Sequence, residues 1–377
     1  MKLEIASTAD SEKLIDFYRQ FPIHLPVHLQ PERHVDFFAP YRYQGSNYRT
    51  YVLKDEQQNI HALANFSIRK TFIEGQSEVP IAVASDLRVS NQRRAILEWS
   101  NHFLPVIEEV KKDFNVEQIF SYINLYDPGA MNAFIRPRSM RRPLPRYYLY
   151  RKLNLVSIHG RFPWAPRPLS GLRIQEGNKL NYDALLGYIL KRSQYRTFAD
   201  IGSVSSLEQK ISRLVDLQLE DFLIAFDHND NVVGCVAPWS SKKINSLVPL
   251  KYNLQGHNFR QTLKFLWLLG WTRRLTKPVS STGLEAPLDF CYLTHLFVDN
   301  EDIFESLIWE SYYNTGPNNF LVYAQVERDF RIAPPRSWIS TKSPFALYVV
   351  VPPKDEMPSF LDPSLSLNPE VEPFFVL

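Results

Sequence analysis

The alternation of apolar and polar residues follows one order twice along the chain. Residues 3–5 read as a short strand, followed by a polar turn and a helix over 12–21. Residues 51–54 and 60–64, joined by the polar run 55–59, read as a β-hairpin with a five-residue loop. An apolar strand then ends at Val89 and feeds a helix starting near Arg94, and a further strand is expected over 119–125. The second half gives a strand over 172–174, a helix over 182–193, and a hairpin from 222–226 and 232–236 around Asp227–Asn231. A strand over 294–298, a helix and a strand over 320–326 follow. Equivalent positions are offset by about 169, 172 and 209 residues, so the offset grows in one direction. The reading is a duplicated unit whose second copy carries an insertion over 240–286. Chance likeness between short apolar strands is the alternative.

The helix after Val89 has one apolar face, with Ile96, Trp99, Phe103, Val106 or Ile107, and Val110 at three- and four-residue steps. Glu98, Glu108, Glu109, Lys111 and Lys112 fall mainly on the wet side, and the two lysines suit the C-terminal end of the helix dipole. The expected division is an N-terminal domain over 1–157, a proline-rich linker over 158–170 and a C-terminal domain over 171–352. A proline-rich, irregular tail over 353–377 is expected to dock its last apolar residues on a domain surface.

Composition narrows the function classes. At 377 residues, 45% hydrophobic and 14% aromatic, the chain can build more than one core. A net charge of +3 makes no global demand for nucleic acid. The N-terminus has the features of neither a signal nor a transit peptide, and no apolar run is long enough for a transmembrane helix. Cys235 and Cys291, each inside a strand-like segment, are expected as buried free thiols of a reducing cytoplasm. The 13 glycines form neither GxGxxG nor a P-loop, and no HExxH, CxxC or GxSxG occurs. Dinucleotide, P-loop, metal and hydrolase readings therefore have no local support.

The stretch 81–99 carries the most chemistry. A strand running through a basic turn into a helix is a place for a phosphate, because free N–H groups and the positive helix end face outward. In this order of elements, Ser85-Asp86-Leu87-Arg88-Val89-Ser90 resembles the fourth strand of the GNAT N-acetyltransferase superfamily. Asn124-Leu125-Tyr126-Asp127-Pro128-Gly129 resembles its fifth strand entering the next helix. The resemblance implies an α/β fold (an α+β mixed sheet) in two tandem GNAT-like units. It also implies that strands four and five splay apart around the pantetheine arm of acetyl-CoA or another acyl-CoA. Cofactor contacts would then come from Leu87, Arg88, Val89, Gln92, Arg93, Arg94, Ala95 and Asn124. The family's turn has glycine where this sequence has none, so the arginines would compensate with charged contacts. For acid–base work the resemblance nominates Glu78 and Asp86, with Glu74 beside them, and Tyr126, with Tyr122, Tyr147 and Tyr148 as substitutes. Phe134 stands where a tyrosine is usual. The acceptor would be a small-molecule or peptide amine, and oligomeric state is left open. A catalytically degenerate GNAT-like binding or scaffold protein is the alternative.

In the second half, Asp299, Asn300, Glu301 and Asp302 occupy the phosphate position, and acids there exclude an anion; His295 aligns with Asp86 and reads as a core histidine. Arg136, Arg138, Arg141, Arg142, Arg146, Arg151 and Lys152, interleaved with tyrosines, form a basic cluster read as a solvated loop and strand rather than a nucleic-acid site. Residues 259–275, with apolar 265–269 before Arg273 and Arg274, are expected to pack over a domain rather than lie on a membrane.

Overall fold

The structure is a computed structural model that describes residues 1–72, 78–135, 144–165, 167, 169, 171–194, 196–199, 203–361 and 369–376. The elements of the first half are β1 (Lys2–Ile5), α1 (Ser11–Tyr18), β2 (Ile23–His24), β3 (Val27–Arg33), α2 (Ala39–Gln44), β4 (Asn47–Lys54), β5 (Ile60–Phe72), β6 (Glu78–Val89), α3 (Arg93–Asp113), β7 (Gln118–Asn124), α4 (Pro128–Ala130) and β8 (Arg146–Arg161). Those of the second are β9 (Arg173–Glu176), α5 (Tyr182–Ser193), α6 (Val204–Arg213), β10 (Leu223–Phe226), β11 (Val232–Trp239), β12 (Asn245–Tyr252), α7 (Leu254–Leu268), α8 (Val279–Thr282), β13 (Phe290–Val298), α9 (Glu301–Asn314), β14 (Phe320–Val326) and β15 (Trp338–Val351).

The chain divides into two compact units, each discontinuous in sequence. The first comprises Met1–Ile23, Gln30–Lys152 and Phe345–Leu367; the second comprises His24–Leu29, Leu153–Pro344 and Asn368–Leu377. This differs from the contiguous split expected at 157 and 171. Residues 158–161, placed by sequence in a linker, are the end of β8. The ladder from Leu153↔Val326 to Ile158↔Leu321 joins that half of β8 to β14. In return, Phe345–Val350 of β15 pair with β7 in the first unit. Each sheet thus takes its last strand from the other half of the sequence, a pairing that no local pattern encodes.

In the first unit the strand order is β1-β4-β5-β6-β7-β15, antiparallel except for β6 with β7. Strand alternation separates two cores. Tyr51, Leu53, Ala62 and Ala64 meet Trp99, Val106, Ile107 and Val110 of α3, while Val52 and Leu63 meet Leu14, Phe17, Phe37 and Tyr41. Ile96, expected on the buried face of α3, is 51% exposed, and Ala95 is buried in its place. The second unit repeats the order as β9-β10-β11-β13-β14-β8, again with one parallel pair, β13 with β14. Ile303, Phe304, Leu307 and Ile308 of α9 seat that helix on Leu223, Val236 and Leu321.

The two hairpin turns share their backbone bonds, and in the first Asp55 Oδ2 also pairs with His61 Nε2 at 2.9 Å. Asp55 Oδ1 accepts from the N–H groups of Gln57 (2.9 Å) and Asn59 (2.8 Å), and Asp227 Oδ1 from those of Asn229 (2.8 Å) and Asn231 (2.9 Å). Gln58 (φ 64°) and Asp230 (φ 62°) take the same left-handed position in the two loops.

Candidate functional site

A β-bulge shapes the end of β6. Asn65 of β5 faces Ser85 and Leu63 faces Arg88, so Asp86 and Leu87 together oppose Ala64. Asp86 sits in the left-handed region at φ 53°, which aspartate tolerates better than most residues. The parallel ladder with β7 runs from Ile81↔Gln118 to Ala84↔Ser121 and ends just before the bulge. Beyond it β6 stays on β5, with the Ser90 N–H donating to His61 O at 2.8 Å, while β7 stays on β15. The two strands therefore part at the bulge, and residues 84–90 are half-exposed. The chain then enters α3, whose N-cap Gln92 makes no side-chain cap and whose first turn holds no acidic residue. Arg93 and Arg94 are exposed there, and Ile96 and Leu97 point outward, at 51% and 44% exposure, rather than into the turn.

The same geometry recurs in the second unit with another outcome. His295 and Leu296 oppose Val236, His295 has φ 49°, and the β13–β14 ladder runs only from Phe290↔Phe320 to Tyr292↔Val322. Here the parted strands are buried. The segment 369–373 lies along them and leaves a cavity of about 30 Å³ lined by Arg196, Leu293, Leu296, Tyr323, Glu370 and Glu372 among others, room for about one water. The Glu370 N–H donates to Thr197 O at 2.8 Å, and Lys210 Nζ pairs with Glu370 at 2.6 Å and Glu372 at 3.1 Å. Phe374 packs against Trp239 and Tyr292. The tail, expected to dock on a surface, thus occupies a cleft. Helix α9 is closed to anions: the Asn300 side chain caps the Ile303 N–H at 3.0 Å, and Glu301 and Asp302 fill its first turn.

A bulged strand parting from a parallel neighbour, just before a helix, limits the folds that fit. No protein-family model matches the sequence, and no curated protein is similar to it in sequence. Solved structures are similar. Two structures of Saccharomyces cerevisiae N-myristoyltransferase with bound myristoyl-CoA match at TM-scores of 0.51 and 0.50, with 10% and 11% identity. They cover 93% and 92% of this chain and 78% and 82% of theirs. A GCN5-related glucosamine N-acetyltransferase region in a fungal multi-domain GH3 β-N-acetylglucosaminidase matches at 0.52 and 11% identity, covering 93% of this chain and 38% of that one. The chain has the GNAT fold. The expected mixed α/β architecture and the parting of the fourth and fifth strands both hold in it.

Within this GNAT fold, Asp86 is the centre of a buried network. Its Oδ1 accepts from Tyr18 Oη at 2.6 Å, and its Oδ2 accepts from Tyr41 Oη at 2.6 Å and Arg33 Nη2 at 2.7 Å. Arg33 Nη1 donates to Phe37 O at 2.6 Å, and the guanidinium lies within 5 Å of the Tyr18, Phe37 and Tyr41 ring centroids. Burial alone would push the Asp86 carboxyl up. The charges of Arg33 and Arg88 and the two tyrosine hydroxyls outweigh it, and the carboxyl is held below its ordinary 3.8. Burial likewise raises both tyrosine hydroxyls, so they stay protonated as donors. Sequence reading found Asp86 but missed Arg33, Tyr18 and Tyr41. They lie 53, 68 and 45 residues away, and no local signal ties them to it.

The other nominated residues are spread differently. Glu78 stands at the opposite end of β6, eight residues or about 26 Å of strand from the bulge, and pairs with Lys70 at 3.7 Å. The structure does not bring it to the cleft. Asn124 closes β7, and its Oδ1 accepts the Tyr126 N–H at 2.9 Å; Tyr126 is exposed on the turn that follows. Asp127 caps α4 through the Gly129 and Ala130 N–H groups. Phe134 packs on Phe103 and Tyr147, and burial pushes the Tyr147 hydroxyl far up. Glu74, Arg136, Arg138, Arg141 and Arg142 lie outside the described residues. Among the described residues no cluster of His, Cys, Asp and Glu suits a metal ion.

Proposed function

We propose that the chain is an acyl-CoA-dependent N-acyltransferase that takes one cofactor, in the first unit, between β6 and β7. The observation that carries this reading is the continuity of bulge, half-exposed strand edge and uncapped, arginine-bearing helix start within residues 84–95. An open strand edge accepts a pantetheine arm as it would a short added strand. A cationic helix N-terminus matches a diphosphate. In this reading the backbone of Leu87, Arg88 and Val89 flanks the arm, and Gln92, Arg93, Arg94 and Ala95 receive the diphosphate. Asn124 bounds the cleft on β7. Acetyl-CoA or a longer acyl-CoA, when bound, supplies the activated acyl group. The myristoyl-CoA of the yeast structures sets the upper chain length to test.

Asp86 serves this site as an anchor. A carboxylate already accepting from an arginine and two tyrosines, and held low, has little affinity for a proton from an amine. Tyr126 is the group this reading nominates to protonate the departing thiolate, and a small-molecule or peptide amine is the acceptor. The free, buried Cys235 and Cys291 fit a reducing, cytoplasmic setting. Three observations favour a second reading, in which the chain binds acyl-CoA without turnover. Asp86 is engaged, Glu78 is remote and Phe134 replaces the usual tyrosine.

Calorimetry and thermal unfolding with acetyl-, butyryl-, octanoyl- and myristoyl-CoA test both. The expected result is one site per chain and, at 100-fold excess over Kd, about 2.7 kcal/mol of added stability. No response to any acyl-CoA overturns the acyltransferase reading. Binding without CoA release toward any amine of a mixed panel selects the second.

A further inference from the structure

The insertion of the second unit bears a surface for which the acyltransferase reading has no use. Helix α7 is seated through Gly256 and Leu263, and Phe259 packs on His159 with ring centroids 5.2 Å apart. Sequence reading expected the whole segment to pack over a domain, yet the opposite face of α7 is both apolar and open. Leu254, Phe265 and Leu268 lie on one stripe at helical spacing and are 79%, 62% and 67% exposed. Leu269 extends the stripe past the helix end. Beyond it the Trp271 N–H donates to Leu266 O at 3.0 Å. The exposed Trp164 meets Trp271 at 6.3 Å and stacks on Phe162 at 4.6 Å.

Charge sets this patch apart from scattered surface hydrophobes. From Asn231 to Leu284 the sequence has eight Lys or Arg and no Asp or Glu, although the whole chain is only +3. Lys264, Arg274 and Lys277 are exposed around the patch, and the Arg274 guanidinium covers the Trp267 ring at 3.2 Å. Among the described residues no helix is long and apolar enough to cross a membrane.

We propose that this face of α7, with Trp164 and the surrounding cations, docks on an anionic lipid surface. Phe265, Leu268 and Leu269 enter the boundary between headgroups and acyl chains, and tryptophan rings settle at headgroup depth. Lys264, Arg274 and Lys277 meet lipid phosphates, and the lack of acids over that stretch removes local repulsion. A convex helix face ringed by cations suits a planar anionic surface better than it suits a protein groove.

The test is co-sedimentation of the full chain with vesicles of equimolar phosphatidylglycerol and phosphatidylcholine, and with phosphatidylcholine alone. The expected result is binding to the anionic vesicles that weakens with salt, and little binding to the neutral ones. Phe265→Ser/Leu268→Ser should lower partitioning at least about tenfold. Lys264→Gln/Arg274→Gln should lower it about fivefold per charge. Both variants change exposed side chains, so their circular dichroism and acyl-CoA response should match the parent's. Failure to bind anionic vesicles, or equal binding by the Phe265/Leu268 variant, overturns the proposal. It is also overturned if light scattering finds a self-associated parent and a monomeric variant, neither on vesicles, which assigns the face to a protein interface.

Discussion

The segments β6–α3 and β13–α9 are built on one backbone and present opposite surfaces. Each strand carries a bulge with a left-handed residue, Asp86 or His295, and each parts from its parallel neighbour there. In the first unit the strand edge is half-exposed and leads to exposed Arg93 and Arg94. In the second the edge is covered by 369–373, and the helix start is capped by Asn300 and filled with acids. The backbone device makes a cleft available. Side chains at the next helix, and what lies in the cleft, decide whether an anion can use it.

The largest expected effect tests the bulge anchor. Asp86→Ala leaves Arg33 buried beside two tyrosines and should destabilise the protein by about 3–5 kcal/mol in urea titration. Arg33→Ala should cost a similar amount, and the double variant clearly less than the sum. Additive costs would show that the network is not one unit. Next comes the helix start. Arg93→Glu/Arg94→Glu should weaken acyl-CoA about 100-fold by calorimetry, from loss of two charge-assisted contacts. Glu301→Lys/Asp302→Lys in the second unit should leave affinity unchanged; an equal loss there would reverse the assignment of the two clefts.

A third experiment separates occupant from side chains. Lys210→Met removes the cation that holds Glu370 and Glu372, so the tail should become accessible to proteases. Acyl-CoA stoichiometry should nevertheless stay at one, because the acids of α9 remain. A second bound cofactor would make the tail the deciding element.

Acid should also distinguish the units. Burial holds His159 of the second unit down at about 3, against an ordinary 6.5. The folded state keeps it neutral while the unfolded chain takes up a proton below 6.5, so its contribution is complete above 6.5 and is lost as pH falls toward 3. By pH 5 the loss should reach about 2 kcal/mol, and His159→Phe should remove that part of the slope. Asp86, held below its ordinary 3.8, keeps its contribution until lower pH. An unchanged slope in the variant would move the acid sensitivity elsewhere. The smallest effects belong to the matched turns: Asp227→Ala should cost about 1 kcal/mol, and Asp55→Ala somewhat more, because its Oδ2 also pairs with His61 Nε2 at 2.9 Å. A larger cost for Asp227→Ala than for Asp55→Ala would end the equivalence of the two turns.

The repeated order of strand, helix, hairpin, strand, helix and strand, with its two hairpins and the start of α3, was legible because periodicity, loop composition and helix-end charge act within a few residues. The contrast between Arg93-Arg94 and Glu301-Asp302 was equally plain, since it is carried by side chains next to one another. The identity of the buried position at the start of α3, Ala95 rather than Ile96, already depended on how the helix is rotated on its sheet.

What the sequence determined by itself is therefore local: which segments are strands or helices, which turns match, and which helix end is cationic. The tertiary structure decided four other things. It placed β15 beside β7 and β8 beside β14, and it gathered Tyr18, Arg33 and Tyr41 on Asp86. It also laid the tail in the second cleft and left the apolar face of α7 open. Each of these depends on segments far apart in the chain being brought together. Such contacts come from closing long loops against chain entropy and burying whole surfaces, so their partners leave no periodic trace in the neighbouring sequence.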